Sequence, residues 1–382
     1  MIYLDNAATS WPKPDAVYQT MGEFLRTKGG NPGRGSHSLA FAGMEAVEET
    51  RMLAARFINA PQKEQVIFTF NCTDGLNLGL KGLLRQGDHV ITSCIEHNAV
   101  ARPLNKLARQ GIKVTKIPPS KETGVVSAHD IEEAITKDTK LLVITHASNV
   151  TGIIQPIEAY GAMVRKRGLI LMVDAAQTAG QYPIDVQSGN IDLLACSGHK
   201  GLFGPPGTGL LYIGDRVELD SLREGGTGSQ SEIEEQPTSL PYRFESGTLN
   251  SVGIGGLGAG LKFIFAEGLD KIRNHEQLLT ERLINGLSHI PGIITYSFKD
   301  RADQVHVVSF NIEGYDPGEV GAILDQRFDI KARTGLHCAP AAHRILGTYP
   351  LGTVRLSPGY FNTVEEIDTT LQALQRIART IS

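Results

Sequence analysis

The chain has little cysteine, no long apolar run and almost no net charge, and each shortage closes off a class of protein. Its four cysteines, Cys72, Cys94, Cys196 and Cys338, are scattered through 382 residues. No pair has the close spacing of a metal site or redox motif, and four thiols cannot staple a chain this long. Cys94 and Cys196 sit in apolar strand contexts and read as small buried hydrophobes. No apolar run approaches the roughly eighteen residues of a membrane span, and the stretch Met1 to Trp11 lacks a basic-then-apolar signal pattern. A cytoplasmic protein is expected. A net charge of −4 gives no reason to expect nucleic acid or an anionic membrane as partner. With 41% apolar and 20% charged residues the chain has enough of both for a packed core and a solvated surface. Its length exceeds what one core usually supports, so two domains are expected.

What is present is a regular alternation. A helical pattern over 16–26 precedes a Gly-rich loop over 29–37. Strand patterns then follow at 66–70, 89–93, 113–117, 141–146, 169–174, 191–196 and 208–213. Helical patterns stand between them at 73–84, 99–109, 128–135 and 157–167. Strands separated by helices imply crossover units and a mainly parallel sheet covered on both faces. Beyond residue 215 the texture changes. A polar, turn-rich excursion over 224–241 leads to a long helix over 269–290. A smaller α+β part then has strands at 293–297, 305–312 and 354–357 and helices at 317–326 and 364–377. The stretch Gly253-Ile254-Gly255-Gly256-Leu257-Gly258 has dinucleotide-loop spacing but follows no apolar strand. Small residues that let a helix pack closely account for it better.

Two strand ends carry the chemistry. The apolar run over 169–175 ends in Asp174, and an acid there is costly to bury without a cation. About twenty-five residues later comes Ser197-Gly198-His199-Lys200, between an apolar run and the Gly- and Pro-rich stretch 201–209. A lysine at a strand exit loses solvation, which lowers its pKa and leaves an amine able to condense with an aldehyde. Pyridoxal phosphate offers both partners: an aldehyde for Lys200 and a protonated ring nitrogen for Asp174. Ser197 and His199 are donors of the kind a phosphate takes. Taken alone, Lys200 is equally compatible with a surface lysine in a glycine-rich loop.

With Asp174 and the Ser-x-His-Lys tetrapeptide in place, the chain resembles the class V aminotransferases, fold-type I pyridoxal-phosphate enzymes, and among them the cysteine desulfurases. The resemblance implies an N-terminal segment (1–15) covering the site, a large cofactor domain (16–260) with a seven-stranded sheet, and a small α+β domain (261–382). It assigns Thr73, in Asn71-Cys72-Thr73-Asp74-Gly75, to the phosphate at a helix start. Asn71 and Cys72 there replace smaller residues. It sets His97 against the cofactor ring and Asn149 and Gln177 on its phenolic oxygen or the substrate. Arg355 would bind the substrate carboxylate, with Ala7, Arg333, Asn6, Ala8, Arg34 and His37 around it. Thr248 would reach the phosphate of the other subunit in a homodimer. Cys338, in Arg333-Thr334-Gly335-Leu336-His337-Cys338-Ala339, matches the cysteine that takes sulfur from cofactor-bound cysteine as a persulfide. This is the arrangement of the second, Suf-like group of desulfurases.

The implied reaction turns L-cysteine into L-alanine and passes sulfur to an acceptor protein, in iron–sulfur cluster assembly or thio-cofactor synthesis. Selenocysteine lyase shares the constellation, with L-selenocysteine as substrate. An aminotransferase, a kynureninase-like hydrolase or a cofactor-binding regulator would keep Lys200 and Asp174 without needing Cys338. The chain departs from the family pattern in Pro340-Ala341-Ala342-His343 after the cysteine. It departs again in Leu356-Ser357-Pro358-Gly359, which is expected to bring a proline to the pocket wall.

Overall fold

The computed structural model describes residues 1–33, 37–229, 231–297 and 303–379. Its main sheet has seven strands in the order Val66–Thr69, Gly209–Ile213, Leu193–Ser197, Ile170–Asp174, Thr139–Thr145, His89–Ser93 and Lys113–Ile117. Gly209–Ile213 runs antiparallel to both neighbours, and the other pairings are parallel. The apolar runs of the sequence thus become strands buried on both faces. Alternate residues divide between two cores, Leu142, Ile144, Leu171 and Val173 on one side and Leu141, Val143, Ile170 and Met172 on the other. The sequence expectations match the strands at 89–93 and 113–117 at both ends and miss one or both ends of the others by a residue or two, as at 66–70 against Val66–Thr69.

Helices Cys72–Leu83 and Asn98–Ala108 cover one face. On the other lie Asp15–Thr27, Ser38–Phe57 and Ser251–Glu267, of which Ser38–Phe57 has no counterpart in the sequence expectations. Its hydrophobic contrast is low, because Thr50 and Arg51 are buried beside Val47 and Ala54. The glycine stretch 253–258 lies inside helix Ser251–Glu267, where a Cβ at Gly258 would collide with Thr50 Oγ1. Close helix packing is therefore what those glycines serve.

That helix runs through residue 260, and the packing allegiance changes at Gly268 (φ 86°). Helix Leu269–Ser288 packs against helix Val364–Arg379 and a four-stranded antiparallel sheet, in the order Arg333–Gly335, Thr353–Leu356, Val308–Ile312 and Ile293–Thr295. Helix Pro317–Phe328 joins the same core behind a capping box, Asp316 accepting from Gly318 N and Glu319 from Asp316 N. The amino terminus belongs here too. Ile2–Tyr3 pairs in parallel with Ile330–Lys331, and Leu4 is buried in this core.

Candidate active site

Five segments leave the same edge of the large sheet. They follow Thr69, Ser93, Thr145, Asp174 and Ser197, the carboxyl ends of strands running in one direction, where open α/β sheets bind ligands. A cavity of about 220 Å³ opens there. Thr73, His97, Asn149, Asp174, Gln177, Ser197, His199 and Lys200 line it from the large sheet, Ala7 and Ala8 from the amino terminus, and Arg333, Cys338 and Arg355 from the small sheet. Residues far apart in sequence thus converge on one space.

Asp174 is 3% exposed and has no ion-pair partner among the described residues. Its Oδ1 accepts from Ala176 N at 2.9 Å and from the Cys72 thiol at 3.4 Å. Burial, then the Asp174 charge, push the Cys72 thiol far above its ordinary range, so Cys72 stays a protonated donor. Burial holds the Lys200 amine below the ordinary lysine range; Asp174 pulls it back and Arg355 pushes it further down. Lys200 has no hydrogen-bonding partner for its amine among the described residues. Gly198 allows the turn before it, since a Cβ there would collide with Thr208 Oγ1. The His199 carbonyl anchors that turn, accepting from Ser10 N at 3.1 Å, Thr9 Oγ1 at 3.0 Å and Lys13 Nζ at 2.7 Å.

Helix Cys72–Leu83 starts at the cavity with Asn71 as its cap, accepting from Asp74 N at 2.9 Å. Thr73 therefore stands in the first turn, among free backbone N–H groups that suit a phosphate. His199 Nδ1 is buried without a partner among the described residues, and burial with the Lys200 and Lys13 charges lowers its pKa to about 4. His97 caps helix Asn98–Ala108, its Nδ1 accepting from Ala99 N at 3.0 Å. That bond requires the neutral ring to carry its proton on Nε2, and burial keeps the ring below the ordinary histidine range. Next to it, burial pushes the Glu96 carboxyl up to about 8. A buried carboxylate without a cation, an orphaned imidazole nitrogen beside a helix start, and a desolvated lysine together fit a group with a ring nitrogen, a phosphate and an aldehyde. Pyridoxal phosphate has these three.

The opposite wall is a strained turn. His337 and Cys338 both have left-handed backbones, φ 45° and 57°, unusual outside glycine. Asn149 Nδ2 donates to His337 O at 2.5 Å and Asn98 N to Cys338 O at 2.7 Å, which hold the turn to the large sheet. His343, fully buried, packs its ring 5.5 Å from that of His337. Cys338 is exposed.

Other expected residues lie elsewhere. Thr248 is exposed, apart from this cavity, at the rim of a second one that Met44 and Tyr242 also line. His37 caps helix Ser38–Phe57 and does not line the site. Asn6 is turned away to Ser357 O and Asn362 Oδ1, and Pro358 is not on the cavity wall. Arg34 lies outside the described residues. Cys94 is only half-buried, because its strand ends one residue before it. Glu96, Asp5 and Lys13 carry no motif in the sequence and act only through neighbours brought by the fold.

The class V aminotransferase family matches residues 2–370, and the chain belongs to that family. Its fold is that of fold-type I pyridoxal-phosphate enzymes. The relatives bear a narrower name. A probable cysteine desulfurase of Methanothermobacter thermautotrophicus is 37% identical, covering 99% of this chain and 94% of that protein. A cysteine desulfurase of Escherichia coli O157:H7 is 35% identical, covering 99% of this chain and 94% of that one. The cysteine desulfurase of Thermococcus onnurineus NA1 superposes with a TM-score of 0.92 at 36% identity, covering 99% of this chain and 95% of that structure.

Proposed function

We propose that this chain is a cysteine desulfurase that converts L-cysteine to L-alanine with pyridoxal phosphate. The observation that carries the reading is that the Cys338 thiol shares one cavity with Lys200, Asp174, His97 and Arg355. Lys200 would hold the cofactor's aldehyde carbon, Asp174 its ring nitrogen, Thr73, Ser197 and His199 its phosphate. Asn149 and Gln177 would bind its phenolic oxygen or the substrate, each with one amide N–H beyond those given to His337 O and Ala7 O. His97 would face the ring. When bound, pyridoxal phosphate withdraws electrons from the substrate Cα and weakens the Cβ–sulfur bond.

The chain's own groups do the rest. Arg355, with Arg333 near it, holds the α-carboxylate. Lys200, its amine kept below the usual range, takes and returns the Cα proton. The Cys338 thiolate attacks the substrate sulfur. The sulfur–Cβ bond breaks, its electron pair stays on carbon, and carbon takes a proton. L-Cysteine and one thiol give L-alanine and one Cys338 persulfide, which an acceptor thiol then collects. Exposure of Cys338 supports delivery to a second protein.

The protein would work as a homodimer in which Thr248 serves the partner's phosphate. Its exposure away from its own cavity supports this, as do the exposed Met44, Phe70 and Tyr242 beside it. The chain would divide at Gly268 into a cofactor domain and a smaller domain bearing Cys338 and Arg355.

The test adds L-cysteine to the purified, cofactor-loaded protein and assays alanine and sulfide. Stoichiometric alanine, lost in Cys338→Ala, supports the reading. Inertness to L-cysteine overturns it. A Cys338→Ala protein still active on L-selenocysteine marks selenium release as the step that needs no thiol.

A further inference from the structure

Arg333 and Arg355 are direct register partners across the antiparallel pair Arg333–Gly335 and Thr353–Leu356. Like charges in that relation repel. Arg355 is also 2% exposed, and a buried cation is costly unless it is paired. The group that offsets both costs is Asp5. Arg355 Nη2 donates to Asp5 Oδ1 at 3.1 Å, and Arg333 Nη1 lies 4.0 Å from Asp5 Oδ2.

Asp5 is itself firmly placed. The strand before it pairs with Ile330–Lys331, and Asp5 forms a parallel bridge to Ser357. Its carbonyl accepts from Ala8 N at 3.0 Å. Both arginines line the cavity, and Asp5 does not. The carboxylate therefore holds the guanidinium from behind the wall.

A donor count shows what is left for a ligand. A guanidinium has five N–H donors. One on Arg355 Nη1 goes to Asn149 O at 3.0 Å, and one on Nη2 goes to Asp5. Three donors remain, and of these Nε is buried and has no partner among the described residues. A buried orphan donor is costly until an acceptor arrives. The charges agree with the donors. Two guanidinium groups and one carboxylate leave a single positive charge, which one further carboxylate neutralises.

We propose that Asp5 is a positioning residue for substrate recognition. It pins Arg355 through Nη2, leaves the other donors of the guanidinium for the substrate α-carboxylate, and sets the local charge so that one carboxylate balances it. This deepens the function proposed above and rests on it only in taking the ligand of Arg355 to be an amino acid's carboxylate. The rule that follows is recognition of the acid over its uncharged amide.

The experiment is calorimetric titration of the cofactor-loaded protein with L-alanine and with L-alaninamide, which needs no turnover of cysteine. In Asp5→Asn the guanidinium of Arg355 loses the anchor that aims it, and the affinity for L-alanine should fall about tenfold, while L-alaninamide stays within about twofold. KM for L-cysteine should rise by a similar factor with kcat within about threefold. Asp5→Glu should restore most of the L-alanine affinity. Equal weakening of both ligands, or weakening of neither, overturns the proposal. If Asp5→Asn does not fold, Asp5→Glu carries the same comparison, with a loss of about threefold expected for L-alanine alone. Equal loss for both ligands again overturns it. Failure of the desulfurase reading is seen separately, as a protein that binds L-alanine in this Asp5-dependent way but makes no alanine from L-cysteine.

Discussion

The two walls of the cavity are built on opposite principles. The wall with Asp174 and Lys200 grows from strands buried on both faces, and its lysine is tuned by loss of water. The wall with Cys338 is a turn with two successive left-handed residues and an exposed thiol, clamped by the Asn149 side chain and the Asn98 backbone N–H. The first wall suits holding a cofactor in one geometry. The second stores local strain at the residue proposed above to take up sulfur and hand it on. The contrast suggests that cofactor chemistry and sulfur handling can be damaged separately.

The most severe break should be Lys200→Ala. Without the desolvated amine, alanine formation should fall by a factor on the order of 10³ or more. Borohydride reduction followed by peptide mapping should no longer find the cofactor on the peptide containing residue 200. Retained turnover would remove the first wall from the chemistry. Cys338→Ala should cost about a hundredfold or more with L-cysteine, because no thiolate remains to accept the sulfur. It should leave cofactor binding intact, which absorbance titration checks.

His343→Ala probes the support behind the turn. It empties space beside the His337 ring and should destabilise the fold by about 2–4 kcal/mol in urea unfolding. Single-turnover persulfide formation should slow by about tenfold as the Cys338 turn relaxes, with the cofactor spectrum unchanged. Slowing of cofactor binding instead would show that the two walls are not separable.

The last effect is on pH dependence, is spread over several pH units and belongs to the first wall. The Glu96 carboxyl keeps its proton up to about pH 8 in the fold, against an ordinary 4.5. Between those values the folded state binds more protons than the unfolded one. Its contribution to stability therefore falls as pH rises through that window, by roughly 1 kcal/mol per pH unit. Glu96→Gln should flatten this stretch when urea unfolding is compared across it, and an unchanged slope would mean the carboxyl is already ionised.

Much of the first wall was legible in the chain itself. An apolar strand buried on both faces leaves a recognisable run, and Asp174 and Lys200 stand at the ends of two of them. Helix Cys72–Leu83 declared itself by its position after a strand, within a residue at each end. Helix Ser38–Phe57 did not, because its buried face includes Arg51, which only the fold pairs with Glu245 at 2.8 Å. The second wall was legible only in its motif. That Cys338 faces the same cavity depends on Asn98 and Asn149, far away in sequence, reaching its turn.

Local patterns of period and polarity are enough to specify the alternation of strands and helices, the acid and the lysine at strand ends, and the cysteine in its loop. Tertiary structure alone decided which charges meet. Asp5 comes to Arg355, Thr248 stays away from its own cavity, and Glu96 is stripped of water enough to keep its proton. Those outcomes depend on burial and on distances between segments hundreds of residues apart, and no local pattern encodes either.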